Sequence, residues 1–198
     1  MESVIWFLLL SFNFEPPYFK ELEDVDRIYV LGRFGAAYIL LVLLIMKCRS
    51  YRPGKFALSI LVLESSLFFS TFYNNSYSML TLGLNEFTTI SFVFFLDYMF
   101  SSDKEKAVSV LTLHYEILVY GNLVTVFLFP EGMYNLGTGR SYWLLGQVNQ
   151  IILYVLPAMI LELLYNRYVK KKRYPRIRTW MLITTGIVTA VVVWSATA

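Results

Sequence analysis

Seven apolar runs punctuate the chain, at residues 3–14, 28–46, 56–73, 79–100, 107–129, 151–165 and 179–198, with polar or charged blocks between them. Several reach the roughly 20 residues that carry an α-helix across a hydrocarbon core about 30 Å thick. This alternation predicts an all-α fold, a polytopic integral membrane helix bundle of six to seven transmembrane helices. The first run is short and the sixth contains Pro157. The connectors leave no room for a separate soluble domain, so residues 1–198 read as a single membrane domain.

Composition agrees with the pattern. The 198 residues are 57% hydrophobic and 16% charged, where an average soluble domain carries about 25% charged residues. Lys and Arg set the orientation, because cytoplasmic loops hold the excess. The connectors 47–55, 101–106 and 166–178 together hold thirteen of the seventeen basic residues, and all three fall on one side if the spans alternate. The amino terminus is then cytoplasmic, and the acidic EPPYFKELEDVDR connector and residues 130–150 face outward. The net charge of +3 does not imply nucleic acid, since the basic residues flank spans instead of forming a soluble patch. The opening MESVIWFLLLSFNF has a signal peptide's length, but its start is acidic and the small-residue cleavage pattern is missing, so it reads as a retained helix. The single cysteine, Cys48, excludes an intramolecular disulfide framework and a cysteine-based metal site. Asn74-Asn75-Ser76 matches a glycosylation sequon in a short polar turn.

Ionisable groups inside spans are costly unless paired or hydrated, which makes each a functional candidate. Glu64 lies near the middle of the third run, Glu86 follows Asn85 in the outer half of the fourth, and Asp97 lies near its inner end. Arg33 sits about 8 Å inside the outer end of the second run at 1.5 Å per residue, at a depth that suits either snorkelling or a pair with Glu86. Along the fifth run His114, Leu118, Gly121, Asn122, Thr125 and Phe129 recur at spacings of three and four, a polar stripe on one helical face. Such stripes commonly hydrogen-bond to a neighbouring helix. Glu116 lies off the stripe. In the sixth run Gln147, Gln150, Tyr154 and Pro157 share a face, and Pro157 removes a backbone donor, which predicts a kink near Leu153.

The connector PEGMYNLGTGRSYWLLGQVNQ, residues 130–150, carries Gly137-Thr138-Gly139-Arg140. It is not a P-loop, which needs GxxxxGK[ST] after a strand. It presents one arginine, suited to phosphate, beside Tyr142 and Trp143, whose rings suit sugars or lipid. No Ser-His-Asp order, HExxH motif or metal-ligand cluster occurs.

NLVTVFLFPEGMYN at 122–135, followed by a Gly/Thr/Arg segment and YWLLGQVNQIILYVLPA at 142–158, resembles the middle of bacterial O-antigen and capsular-polysaccharide polymerase-like proteins of the O-antigen ligase superfamily. In that family an Asn-bearing helix ends in a Phe-Pro-x-Gly exit, and the next helix begins with Leu-Gly-x-x-Asn. FNFEPPYF at 12–19 resembles the start of such chains. The resemblance implies an inner-membrane glycosyltransferase that acts on undecaprenyl-pyrophosphate-linked sugars at the outer face, without cofactor, nucleotide sugar or metal. It makes Arg140 the first candidate for phosphate contact and Arg33 the second. Asn149, Gln150, Tyr154 and Trp143 become pocket-lining candidates, beside the buried polar candidates Glu64, Glu86 and Asn122. The family carries more helices than this chain and a large later outer loop, so the expectation is an amino-terminal portion of a larger fold, inactive alone. Two alternatives stand beside it. One is a non-enzymatic scaffold, sensor or immunity protein, and the other is a VanZ-like protein, which NLVTVFLFPEG also resembles. Sugar, linkage, catalytic residues and oligomeric state stay open.

Overall fold

The computed structural model describes residues 2–47, 51–74, 79–135, 141–171 and 177–197. Its regular elements are seven α-helices: α1 Glu2–Ser11, α2 Glu23–Lys47, α3 Lys55–Tyr73, α4 Met79–Ser102, α5 Lys104–Leu128, α6 Val148–Leu164 and α7 Ile177–Thr197. A 3₁₀ turn, Pro17–Glu21, precedes α2, and a π turn, Tyr165–Val169, continues α6. Each helix coincides with one apolar run, and the ends are set by polar chemistry. α2 begins five residues before its apolar run because Glu23, Asp24 and Asp26 occupy the first turn, where the helix dipole favours negative charge. Asp103 caps α5 by accepting the Lys106 N–H at 3.0 Å.

Among the described residues, four segments are long and apolar enough to cross a membrane: Glu23–Met46, Lys55–Tyr73, Lys104–Leu128 and Gln150–Val169. The apolar stretch of α7, Ile177–Val192, is shorter. The ten residues of α1 rise about 15 Å, half of a hydrocarbon core. α6 remains one helix through Pro157.

The chain divides into two compact units, Met1–Asn13 with Ile28–Ala107, and Phe14–Arg27 with Val108–Ala198. In the first, Trp6 of α1 is buried and meets Phe95 and Tyr98 of α4 edge-on, at 6.0 and 6.5 Å between centroids. The stretch before α3 is tied to the end of α4 by one carboxylate oxygen, Asp97 Oδ2. It accepts the Tyr51 hydroxyl at 2.6 Å and the Gly54 N–H at 2.8 Å. Burial and that carboxylate hold the Tyr51 phenol above its ordinary pKa. α3 itself turns its apolar side chains outward: Phe56, Val62 and Phe69 are 71%, 69% and 66% exposed. Such apolar exposure is expected against lipid and is rare in contiguous form on soluble monomers.

The second unit has the larger core. It joins Leu118, Val119 and Val126 of α5 to Trp143 and Leu145 of the connector, Ile151, Val155 and Ala158 of α6, and Leu182 of α7. α7 approaches α6 closely at Gly186, where a Cβ would lie 2.7 Å from Met159 and from Val155.

Candidate functional site

The described parts of the α5–α6 connector, up to residue 135 and from residue 141, are held by the polar stripe that the spacing of α5 predicts. Asn122 Oδ1 accepts the Leu145 N–H at 2.9 Å, and the Trp143 indole donates to the Phe129 carbonyl at 2.8 Å. Thr125 Oγ1 lies 3.5 Å from the Leu144 N–H, while Gly121 leaves room for the Leu144 side chain, whose Cδ2 would be 3.2 Å from an added Cβ. The connector closes on itself through short antiparallel pairings of Tyr134 with Tyr142 and of Trp143 with Gly146. The second turn needs a glycine, because Gly146 sits at φ +86°, a region that L side chains rarely adopt. His114, on the same α5 face, is buried; its Nδ1 lies 3.0 Å from the Val110 carbonyl and its ring packs on Phe14 at 4.9 Å.

Beside this connector opens a cleft of about 320 Å³. Its walls are Pro17, Lys20 and Glu21 from the 3₁₀ turn, Tyr134 and Tyr142 from the connector, and Gln150, Leu153 and Tyr154 from α6. Tyr18 fixes the turn against the connector: its N–H donates to the Leu144 carbonyl at 3.2 Å, and its ring lies 5.3 Å from that of Tyr134. Tyr134 in turn lies 5.1 Å from Tyr142, whose hydroxyl oxygen accepts from Gln147 Nε2 at 2.6 Å. Burial, then the Glu21 carboxylate, push the Tyr134 phenol up to about 12. It is therefore a neutral donor at physiological pH. Set against protein-family models, curated proteins and solved structures, the chain matches none.

The cleft unites two of the sequence candidates, Gln150 and Tyr154. Gln150 also accepts the Gln147 N–H at 3.0 Å, which closes the first turn of α6. Trp143, expected to line the pocket, is wholly buried in the core and is not part of the cleft wall. Asn122 is buried too, and serves the connector backbone. Arg140 and the Asn149 side chain lie outside the described residues, as do Cys48 and part of the sequon. In the other unit, Arg33 Nε donates to the Phe12 carbonyl at 3.4 Å. Glu86, expected as a possible partner of Arg33, lies within interaction range of Glu64.

Sequence reasoning passed over Lys20, Glu21 and Tyr134, because polar residues in a connector carry no periodic signal. It also passed over Glu162, which is wholly buried in α6. The signal was present: a carboxylate within ILELL is as costly as Glu64 in VLESS.

Proposed function

We propose that this is a polysaccharide-polymerase-like protein of the bacterial cytoplasmic membrane. It crosses the bilayer six or seven times with its amino terminus inside, and holds an undecaprenyl-pyrophosphate-linked oligosaccharide in the cleft beside the α5–α6 connector. The observation that carries the reading is the cleft wall itself. Aromatic faces at Tyr134, Tyr142 and Tyr154, with Lys20, Glu21 and Gln150 between them, combine the surfaces that stack on sugar rings with groups that bond hydroxyls. The basic residues of the cytoplasmic connectors support the orientation, since the α5–α6 connector falls on the opposite side. Arg140, in the same connector, is the candidate for the phosphate, with Arg33 second.

A non-enzymatic scaffold or sensor is the second reading. It draws on the α5 stripe, whose Asn122 and Thr125 are engaged in holding the connector. Binding separates the two. The full chain in lipid nanodiscs is titrated with an undecaprenyl-pyrophosphate-linked oligosaccharide and followed by native mass spectrometry. Tyr134→Ala should weaken binding about tenfold, the effect of losing one aromatic contact of ~1.4 kcal/mol. Arg140→Ala should weaken it for pyrophosphate-bearing lipid and not for the free oligosaccharide. Absence of glycolipid binding by the wild-type chain removes the polymerase-like reading and leaves the scaffold.

A further inference from the structure

A second polar cluster in the Val108–Ala198 unit joins buried carboxylates to the partly exposed Arg178, and nothing in the cleft reading uses it. Glu116 of α5 accepts two hydrogen bonds from the Arg178 guanidinium of α7. Glu162 of α6 is wholly buried, and its Oε1 accepts from Asn166 Nδ2 at 3.1 Å and from the Thr179 hydroxyl at 3.2 Å. Its other oxygen, Oε2, has no hydrogen-bond partner among the described residues and lies 3.8 Å from Arg178 Nε.

Asn166, also buried, presents a second acceptor, Oδ1, that has no hydrogen-bond partner among the described residues. Its amide orientation is fixed chemically: the nitrogen side faces the Glu162 carbonyl at 2.9 Å and Glu162 Oε1, and an oxygen there would oppose two oxygens. Asn166 stands on the π turn Tyr165–Val169. Single π turns within helices recur at functional sites.

The charge balance points the same way. Facing Glu162 are Glu116 and Tyr120 from α5, Arg178 from α7, and Tyr165, whose ring lies 5.5 Å from both the Arg178 guanidinium and the Lys170 ammonium. Arg178 is the shared partner of two buried carboxylates, so the Glu116–Glu162–Arg178 group carries one excess negative charge. Unbalanced charge is unfavourable in a low-dielectric interior, and two acceptor oxygens without donors add to the cost. A divalent cation would overshoot the balance.

We propose that the Glu116–Glu162–Arg178 cluster is a monovalent-cation site, in which one sodium ion or one proton is taken up at Glu162 Oε2, with Asn166 Oδ1 as the second oxygen offered to a sodium ion. A sodium ion supplies a hard cation to two oxygens. A proton converts Oε2 from an orphaned acceptor into a donor. Either brings the cluster to neutrality. Buried carboxylates in membrane helices commonly mark ion or proton pathways, and α5, α6 and the start of α7 surround this one.

The test uses the purified full chain in detergent with two probes, radiolabelled sodium ion and infrared detection of the protonated carboxyl. Saturable sodium binding, abolished by Glu162→Gln and retained in the cleft variant Glu21→Gln, establishes a sodium site. Without sodium binding, a protonated-carboxyl band at neutral pH that disappears in Glu162→Gln establishes a proton site; a band that persists belongs to other carboxyls. Where Glu162→Gln fails to fold, Asn166→Leu serves instead. It should weaken sodium binding about tenfold or shift the carboxyl band. A wild-type chain with neither sodium binding nor a band that responds to these substitutions overturns the proposal, as does sodium binding that survives them.

Discussion

α3 and α5 are both long and apolar enough to cross a membrane, yet only 6% of the apolar window of α3 is buried within the protein, against 50% for α5. Part of the difference lies in where their polar groups find partners, although Glu64 of α3 lies within interaction range of Glu86 of α4. On α3, Ser59 bonds back to its own helix at the Lys55 carbonyl, and the apolar side chains face outward. On α5, Asn122 and Thr125 reach the connector and Glu116 reaches α7. Hydropathy measures whether a helix suits lipid. The placement of its hydrogen-bonding side chains decides whether it faces lipid or protein.

That contrast can be broken by substitution. The largest effect is expected at Trp143, which is wholly buried and bonded to the Phe129 carbonyl. Trp143→Ala should cost about 3–5 kcal/mol, read as a large drop in the detergent melting temperature. Asn122→Leu keeps the volume but strands the buried Leu145 N–H. Its cost should be ~1–3 kcal/mol, with amide hydrogen exchange at Leu145 accelerated.

A smaller effect belongs to Asp103, the cap of α5. The Lys106 backbone N–H, then the Lys106 charge, hold its carboxyl below the ordinary 3.8. A depressed carboxyl stabilises the fold in full above the unfolded value, and that contribution is lost as pH falls through the folded one. Asp103→Ala should therefore cost about 0.5–1 kcal/mol near neutrality and nothing once the wild-type carboxyl is protonated in acid. Smallest of all is Val62→Ala on α3, 69% exposed, which should change stability by under ~0.5 kcal/mol. An effect there as large as that of Asn122→Leu would mean that α3 packs against protein along that face.

The helices were legible in the sequence to within a few residues, because apolar runs long enough to cross a bilayer leave little alternative to helix. Their boundaries moved where capping chemistry intervened, as at Glu23 and Asp103. The α5 stripe was legible as a stripe but not as the anchor of a loop, since spacing identifies a face and not its partner. The cleft was half legible. Gln150 and Tyr154 lie on a helical face that periodicity exposes, whereas Lys20, Glu21 and Tyr134 join them through contacts far apart in the chain. Glu162 and Arg178 meet only when α6 and α7 pack, and the basic run before α7 made Arg178 read as one more topology signal.

Asn122, Thr125 and Phe129 grip the connector from one side of α5 at intervals of three and four residues, so the connector rides on that helix as a lever arm rides on its shaft. Glu116 sits on the same shaft, six residues before Asn122, about 9 Å along the axis. α5 is continuous between them, so a turn or slide of the helix would carry Trp143, Leu144 and Leu145, and with them the adjoining Tyr142 of the cleft wall.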